Sequence, residues 1–227
     1  MTQTLFITGT DTDAGKTYVA CALLRRLRER GIAARGYKPV ASGCVETVHG
    51  WRNADALALI EATCSDADYG DHNPYAFEPA IAPHLAASEA GVVIDPQRLR
   101  SAHDRLAVGQ DWVIAEGAGG WLTPLGDDLS LGDWVAQQGW PVLLVVEMRL
   151  GCLNHALLTV EAIERRTGLA GWVANVRNPD MERLDANLSS LQARLGAPLW
   201  VQRQASMAPV GALDRLFLPL EGKAALN

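Results

Sequence analysis

TLFITGTDTDAGKT, residues 4–17, is the segment of this chain that is most informative about its fold. Its apolar run, residues 5–7, is typical of a buried strand and stops before Gly9. A polar loop follows, and the triplet Gly15-Lys16-Thr17 opens a stretch with helical spacing. A strand, a glycine-containing loop, a Gly-Lys-Thr triplet and a helix form, in that order, the layout of a phosphate-binding loop. The segment therefore predicts a site for nucleotide phosphates.

The chemistry of such a loop follows from its backbone. Small residues let N–H groups point inward at an anion, and the helix that follows adds the positive end of its dipole. Lys16 would reach the β- and γ-phosphates, and the Thr17 hydroxyl would bind Mg²⁺. The spacing is unusual, because five residues separate Gly9 from Gly15 where the general pattern has four. The competing interpretation is an ordinary turn with an exposed lysine.

Length and composition restrict the class of protein. The chain has 227 residues, which fit one large domain (1–227), and 48% of them are hydrophobic, as is normal for a soluble globular protein. The net charge is −6 and no long basic run occurs, so nucleic acid is not an expected partner. No apolar run approaches the roughly 20 residues that span a bilayer, and the N-terminus does not resemble a signal peptide. We therefore expect a cytoplasmic protein with no membrane partner.

Helical and strand patterns alternate along the rest of the chain. The helical pattern of residues 53–62 predicts that Leu57, Leu59 and Ile60 are buried. Loops are expected at 41–52 and 65–88, helices at 18–30, 95–108, 129–138, 154–166 and 181–195, and strands at 33–40, 111–116, 141–146, 171–176 and 199–202. The alternation predicts a doubly wound, mainly parallel α/β sheet, a three-layer sandwich like that of the P-loop NTPases.

Ligands of such sheets gather beyond the carboxyl ends of the strands. Besides the phosphate-binding loop, the polar positions expected there are Lys38, Glu116, Gly151–Asn154 and Asn175, each near the end of a different strand. Glu116 is followed by Gly-Ala-Gly-Gly, whose small residues would let a ligand approach the backbone closely. The sequence predicts that these positions share one edge of the sheet.

Three side chains are candidates to hold Mg²⁺, which prefers oxygen ligands and usually keeps several waters. Thr17 belongs to the phosphate-binding loop, Glu116 stands where a Walker-B carboxylate would, and Asp55 lies at the front of a predicted helix. The alternative for Glu116 is a solvated strand end. The alternative for Asp55 is a carboxylate that only stabilises the helix N-terminus.

Lys38 is a second candidate cation beside Lys16. At the carboxyl end of a strand it could neutralise negative charge that grows on a transferred phosphoryl group. An exposed surface lysine is an equally open alternative, since lysines are mostly exposed. Ser42 is a loop hydroxyl, and such residues more often form turns than bind ligands.

Seven blocks of sequence carry a more specific signal. They are TGTDTDAGKT (8–17), GYKPVASG (36–43), RNADALAL (52–59), EGAGGWLTPL (116–125), DWV (133–135), LGCLNHALLT (150–159) and GWVAN (171–175). In content and order they resemble the dethiobiotin synthetase family, and together they cover the chain to about residue 200. The five-residue spacing of the phosphate-binding loop is that family's own pattern.

The resemblance implies an ATP- and Mg²⁺-dependent cyclo-ligase of biotin synthesis that acts as a homodimer. Its substrates would be 7,8-diaminononanoate, CO₂ and ATP. One amine takes up CO₂ to form a carbamate, whose oxygen attacks the γ-phosphate of ATP. The other amine then attacks the carbamic-phosphoric anhydride, which closes the ureido ring and releases phosphate and ADP.

The resemblance also implies the groups that would contact the substrate. Lys38 matches the family's active-site lysine and would act with Lys16 as a catalytic cation, because carbamate and triphosphate repel each other. Thr12 and Ser42 would hydrogen-bond the diamine or the carbamate. The substrate's carboxylate would meet a helix N-terminus of the partner subunit at Gly151, Cys152 and Asn154.

Other matched positions would bind the nucleotide and its metal. Backbone N–H groups from Asp13 to Tyr18 would surround the phosphates, and Asn175 would contact the base. The full set implied for the nucleotide is Asp13, Ala14, Gly15, Lys16, Thr17, Tyr18, Asp55, Glu116, Gly117, Ala118, Gly119 and Asn175, with Thr17, Asp55 and Glu116 as the ligands of Mg²⁺.

Two segments depart from the family pattern. Asp13 replaces a common glutamate, which is one methylene longer. Residues 201–205 read VQRQA where the family often has an Ile-Pro or similar segment that lines the base. ATP is the expected nucleotide, with another triphosphate as the alternative.

The main rival interpretation is a dimeric switch ATPase of the chromosome- or septum-positioning kind, which acts by binding partners. Such proteins share the expected fold but carry a second lysine five positions before the invariant one. Asp11 occupies that position here, so the characteristic charge is missing. A homologue that binds ligands without catalysis is a second rival, although both lysines and all three candidate metal ligands are present.

Overall fold

The computed structural model describes residues 2–203 and residue 216. Its strands are β1 (Gln3–Gly9), β2 (Ala34–Tyr37), β3 (Val40–Ala41), β4 (Val45–Thr47), β5 (Gly50–Arg52), β6 (Tyr75–Ala76), β7 (Trp112–Gly120), β8 (Val142–Glu147), β9 (Leu169–Val176) and β10 (Trp200–Arg203). Its helices are α1 (Lys16–Glu29), α2 (Ala54–Thr63), α3 (Tyr69–His72), α4 (Pro83–Glu89), α5 (Pro96–Ala107), α6 (Leu131–Gln138), α7 (Cys152–Glu164) and α8 (Leu184–Leu195).

Six strands form one parallel sheet in the order β10-β9-β8-β1-β7-β2. Strand β1 therefore lies inside the sheet, with β7 on one side and β8 on the other. The chain moves outward from β1 in both directions, which is the doubly wound arrangement expected from the sequence. Its phosphate-binding loop consequently emerges among the ends of several strands.

Alternating side chains of the central strands face two separate hydrophobic layers. Leu5 and Ile7 pack with residues of α1 and α2, whereas Phe6 lies in the cluster formed with α5, α6, α7 and α8. Strands that are buried on both faces read as continuous apolar runs, as β8 does. The predicted three-layer sandwich is confirmed.

Several local expectations differ from the structure. Leu57 is 46% exposed although its helix is correctly predicted, because α2 buries Ala56, Ala62 and the expected Leu59, and it leaves Ile60 half-buried. The expected loop at 41–52 contains the small hairpin β4–β5, and the segment 65–88 contains α3, β6 and all but the last residue of α4. Elements of two to seven residues are too short to display a period in sequence.

Strand β7 is longer than its apolar run. It continues through Gly120, which pairs with Gly9 of β1, so Glu116 lies within the strand instead of at its end. Gly119 has φ of 63°, a left-handed conformation that glycine adopts without strain, and the register of the β1–β7 pairing shifts before Gly9 pairs with Gly120.

No helix among the described residues is both long enough and apolar enough to cross a membrane. The expectation that residues 1–227 form a single domain reaches beyond the described residues and stays a prediction.

Candidate active site

The phosphate-binding loop joins β1 to α1 and requires residues that tolerate a left-handed backbone. Gly15 has φ of 96° and Asp13 has φ of 59°, a region that aspartate enters more readily than most residues. A Cβ on Gly15 would lie 2.1 Å from Asn175 Nδ2. The same Nδ2 donates to the Ala14 carbonyl at 2.8 Å, so Asn175 holds the loop from the end of β9.

Lys16 is held inside this loop. Its ammonium donates to the Asp11 carbonyl at 2.9 Å, and the residue is only 6% exposed. Burial, reinforced by the nearby positive charge of Lys38, lowers the pKa of Lys16 to about 8. The exposed-lysine interpretation of the Gly-Lys-Thr triplet is therefore wrong.

Lys38 follows β2 directly and is also buried, which excludes the interpretation as a surface lysine. Its ammonium lies 2.7 Å from Glu116 Oε1 and 2.9 Å from Asp55 Oδ2, and it donates to the Gly117 carbonyl at 3.2 Å. Burial alone would lower the pKa of Lys38, but the two carboxylates outweigh it and raise that pKa. The pKa of Asp55 is lowered. Burial alone would raise it, but the positive charge of Lys38 outweighs burial.

Thr17 completes the cluster from the first turn of α1. Its hydroxyl donates to Glu116 Oε1 at 2.8 Å, so Thr17 and Lys38 share one acceptor oxygen. The other carboxylate oxygen of Glu116 is buried and has no hydrogen-bond partner among the described residues. An unused, buried carboxylate oxygen beside a hydroxyl and a second carboxylate is an oxygen donor set of the kind that Mg²⁺ prefers.

Among the described residues, no group of three or more His, Cys, Asp or Glu side chains is placed to hold a metal ion. The candidate magnesium position, with one hydroxyl and two carboxylates, is a smaller set than that. The alternative interpretation of Glu116 as a solvated strand end is wrong, since Glu116 is fully buried.

Asp55 is positioned by the start of α2. The Asn53 side chain caps this helix and accepts from the backbone N–H groups of Asp55 at 3.0 Å and Ala56 at 3.2 Å. Asp55 also carries its charge in the first helical turn, where the dipole favours it. The helix-end role and the contact with Lys38 therefore coexist.

A cavity of about 550 Å³ opens over this cluster. Most of the predicted site residues line it: Thr12, Asp13, Gly15, Lys16, Thr17, Tyr18, Lys38, Ser42, Asp55, Glu116, Ala118, Gly119 and Asn175. Ala14 and Gly117 lie behind the lining and contribute the carbonyls that bind Asn175 and Lys38.

Gly151, Cys152 and Asn154 do not line this cavity. They lie at the start of α7, where Gly151 and Asn154 are exposed and the Cys152 side chain is buried in the core. Their assignment to the substrate of a partner subunit stays a prediction, and Cys152 has only its backbone to offer there.

The sequence interpretation misses several lining residues. Asn53, Ala41, Val176 and Arg177 also line the cavity, and so does Gln202, which the sequence singles out only as part of the unusual segment 201–205. Gln202 lies opposite Tyr18, with 3.4 Å between Nε2 and the phenol oxygen. A helix-cap signal at Asn53 and the strand end before Arg177 are the features that could have revealed two of them. Residues 204 and 205 of that segment lie outside the described residues.

Asp11 forms an ion pair with an arginine of the same chain. Arg149 lies 3.1 Å from Asp11 Oδ2 and 3.1 Å from Glu147 Oε2. Glu147 and Arg149 thus form a local ion pair. The position that carries a lysine in switch ATPases holds a carboxylate neutralised by this arginine.

Solved structures with a similar fold include two ATP-handling classes. A cobyrinic acid a,c-diamide synthase from Mycobacterium smegmatis, solved with ADP and magnesium, matches with a TM-score of 0.57 and 16% identity over 100% of this chain and 97% of its own. A ParA family ATPase from Chlorobium tepidum matches with a TM-score of 0.55 and 13% identity over 97% and 94%. At such low identity the likeness is one of fold, so it gives the switch-ATPase interpretation no functional support.

Sequence comparison is more specific. A family model described as an AAA domain matches residues 3–202. ATP-dependent dethiobiotin synthetase BioD from Aromatoleum aromaticum is 50% identical over 217 residues, 94% of this chain and 96% of that protein. The proteins of the same name from Pseudomonas paraeruginosa (49% over 217 residues, 94% and 95%) and, as BioD 1, from Escherichia coli K12 (41% over 224 residues, 96% and 100%) are similar along almost their whole length. With this identity over nearly the entire chain, and with the phosphate-binding loop folded as described, the protein belongs to the ATP-dependent dethiobiotin synthetase family.

Proposed function

We propose that this protein closes the ureido ring of dethiobiotin from 7,8-diaminononanoate, CO₂ and ATP, with release of ADP and phosphate. The observation that carries the proposal is the convergence of Lys16, Lys38 and Glu116 on one cavity beside the phosphate-binding loop. Two ammonium groups at one cavity suit a reaction in which an anionic carbamate must approach a triphosphate.

The two lysines have separate tasks in this reaction. Lys16, inside the loop, binds the β- and γ-phosphates together with the backbone N–H groups that precede and open α1. Lys38 comes from the other side of the cluster and neutralises the charge that develops as the carbamate oxygen attacks the γ-phosphate. The second amine then attacks the carbamic-phosphoric anhydride, and phosphate leaves as the ring closes.

The donor set of the cavity fits Mg²⁺. Thr17, Asp55 and Glu116 would hold the ion. All three offer oxygen atoms, which Mg²⁺ prefers, and one oxygen of Glu116 has no partner among the described residues. When bound, the ion would supply positive charge that compensates the triphosphate.

Substrate contacts are proposed on both sides of the cluster. Thr12 and Ser42 line the cavity and can hydrogen-bond the diamine or the carbamate. We further propose a homodimer in which Gly151, Cys152 and Asn154 of one subunit offer the start of α7 to the substrate's carboxylate in the other. The exposure of this helix start makes it accessible to a partner chain.

The base of the nucleotide would contact Asn175, with Gln202 and Tyr18 near it at the same cavity. We retain ATP as the expected nucleotide and the cytoplasm, where ATP is available, as the location. Only small molecules and a second copy of the chain are proposed as partners, with neither nucleic acid nor membrane among them.

The test is an assay of phosphate release with the diamino acid, bicarbonate and Mg²⁺, repeated with each nucleoside triphosphate. We expect release that depends on both the diamine and bicarbonate, with dethiobiotin identified by mass spectrometry. Reactions without the diamine, or without bicarbonate, are the controls. Phosphate release that ignores the diamine, with no ring-closed product, would refute the proposal.

A further inference from the structure

A hydrogen-bonded side-chain pair outside the cavity joins the two elements that carry Lys38 and Asp55. We propose that Tyr69 and Asn73 are positioning residues that fix Lys38 relative to the Asp55 helix start. The inference rests on the proposed function, since it assigns these residues a task in that reaction. The pair is called the Tyr69–Asn73 clasp below.

Asn73 binds the backbone of Lys38. Its Nδ2 donates to the Lys38 carbonyl at 2.7 Å and to the Tyr75 carbonyl at 3.0 Å. The Lys38 N–H meanwhile donates to the carbonyl of His72 at 2.7 Å. Both polar backbone groups of Lys38 are thus engaged by two consecutive residues, although Lys38 itself lies outside the strand ladder of β2.

Tyr69 carries the connection onward to α2. Its hydroxyl donates to Asn73 Oδ1 at 2.9 Å and accepts from the Asn53 N–H at 2.8 Å. The Asn53 side chain in turn accepts from the N–H of Asp55. The guanidinium of Arg52 lies 4.0 Å from the centre of the Tyr69 ring and covers its face.

The chemistry of the clasp suits these two residue types. Asn73 uses both amide hydrogens and its carbonyl oxygen, so an aspartate in its place would face two carbonyls with an acceptor. Tyr69 uses its hydroxyl as donor and acceptor at once, which phenylalanine cannot do. Asn73 is 3% exposed, so water does not readily replace its partners.

The consequence for the site is a defined separation between two elements. Lys38 directly follows β2, and its backbone carbonyl is bound by Asn73. Asp55 lies in α2 and is connected to the clasp through the helix cap Asn53. The phosphate-binding loop is not part of the clasp. Loosening the clasp should therefore disturb Lys38 and Asp55 while phosphate contacts of the loop remain.

The experiment compares Tyr69→Phe with the wild-type enzyme. A small displacement of catalytic groups can reduce turnover strongly, so we expect kcat to fall about 10- to 100-fold. The Mg²⁺ concentration for half-maximal rate should rise. Binding of a fluorescent ATP analogue in the presence of EDTA, which reports nucleotide binding without the metal, should stay within about two-fold of wild type. Asn73→Asp should change the same quantities in the same direction.

Tyr75→Phe is the matched control. The Tyr75 hydroxyl also bridges two backbone groups, accepting from the Asp95 N–H at 2.8 Å and donating to the Val93 carbonyl at 3.3 Å, away from the cavity. Its backbone contact with Asn73 survives the change. Tyr75→Phe should keep the wild-type kcat and Mg²⁺ dependence.

Two results would overturn the clasp. One is a Tyr69→Phe enzyme with wild-type kcat and Mg²⁺ dependence. The other is a Tyr75→Phe enzyme that loses as much kcat and as much melting temperature as Tyr69→Phe does. Such a result would show that both variants act by general destabilisation. A wild-type enzyme that forms no dethiobiotin would instead refute the proposed function, so the two failures can be told apart.

Discussion

Lys38 and Glu116 form a buried ion pair with 2.7 Å between Nζ and Oε1. The two side chains come from β2's end and from the neighbouring strand β7, and each is at most 4% exposed. Asp55 adds a second carboxylate to the same ammonium. Lys38 is thus the counter-charge of two carboxylates.

Lys38→Ala and Lys38→Gln should cut the single-turnover rate by about 10²–10⁴, as expected when one charge-stabilising contact is lost. Pre-steady-state measurement of phosphate formation gives this rate directly. A variant with an unchanged single-turnover rate would mean that Lys38 takes no part in the chemistry.

The same variants should also lose stability. Removing one partner of a buried pair leaves the other charge uncompensated, at a cost of about 3–5 kcal/mol in the free energy of unfolding. Chemical denaturation measures the loss. Arg26→Ala is the control, because the Arg26–Glu29 pair is more exposed, 2.8 Å apart on a helix surface, and such pairs contribute about 1 kcal/mol or less. Equal losses in both variants would contradict the buried-pair argument.

Lys16→Ala should abolish turnover mainly through lost transition-state stabilisation, since the ammonium can no longer bind the phosphates. The quantity to measure is kcat/KM for ATP. Arg26→Ala, on the same helix but engaged with Glu29, serves as the control and should behave as wild type. A Lys16→Ala enzyme with near-normal kcat/KM would remove Lys16 from the site.

The sequence predicts those parts of the site that follow from local pattern and sheet topology. An apolar run, a glycine loop and a helical period identify the phosphate-binding loop, and the winding rule brings Lys38 and Glu116 to the same edge. For Asp55 the sequence does not decide between a metal ligand and a helix-end charge. Its distance to Lys38 depends on how α2 packs, which no local pattern encodes.

Features set by tertiary contacts are not predicted. Glu116 lies within β7, although its apolar run ends there, because the strand continues to Gly120, which pairs with Gly9 of β1. The Tyr69–Asn73 clasp lies in a segment without periodicity, and its importance comes only from contacts with Lys38 and Asn53. Leu57 has the right residue type for a core position, but the packing of α2 turns it outward.

Gly15→Ala should weaken ATP binding and lower stability. A Cβ there would lie 2.1 Å from Asn175 Nδ2, and the φ of 96° adds a left-handed strain of about 1–2 kcal/mol. Gly139→Ala tests the backbone strain alone. Gly139 has a similar positive φ of 68°, but an added Cβ would meet no described atom within 4 Å apart from its chain neighbours and its own helix. We expect Gly139→Ala to lose stability without losing affinity for an ATP analogue. If both variants bind the analogue as wild type does, the contact with Asn175 does not shape the loop.

Asp55→Ala should weaken the Mg²⁺ dependence of the reaction, because one proposed oxygen ligand and one partner of Lys38 are removed together. A Mg²⁺ titration of the initial rate at saturating ATP measures the change. Asp66→Ala provides the comparison, since Asp66 pairs with Arg35 at 3.1 Å while its side chain is 94% exposed. A titration curve that coincides with wild type would exclude Asp55 from the metal position.

The pKa of Lys16, lowered to about 8 in the free protein, predicts how ATP binding depends on pH. Below that pH the ammonium is already charged, and above it the free protein holds a neutral amine. Bound phosphates favour the charged form, so binding must take up a proton as pH rises through 8, and affinity for ATP falls there. Linkage gives about half a proton at the pKa itself.

Calorimetry of ATP binding from pH 7 to 9.5, in buffers of different ionisation enthalpy, measures this uptake. Wild type should take up progressively more protons above pH 8, where ATP is already fully ionised. Lys16→Arg keeps its charge throughout this range and should show no such rise. Heats that are the same in every buffer at pH 8.5 would mean that Lys16 is already protonated before ATP binds, against the effect that burial has on its pKa.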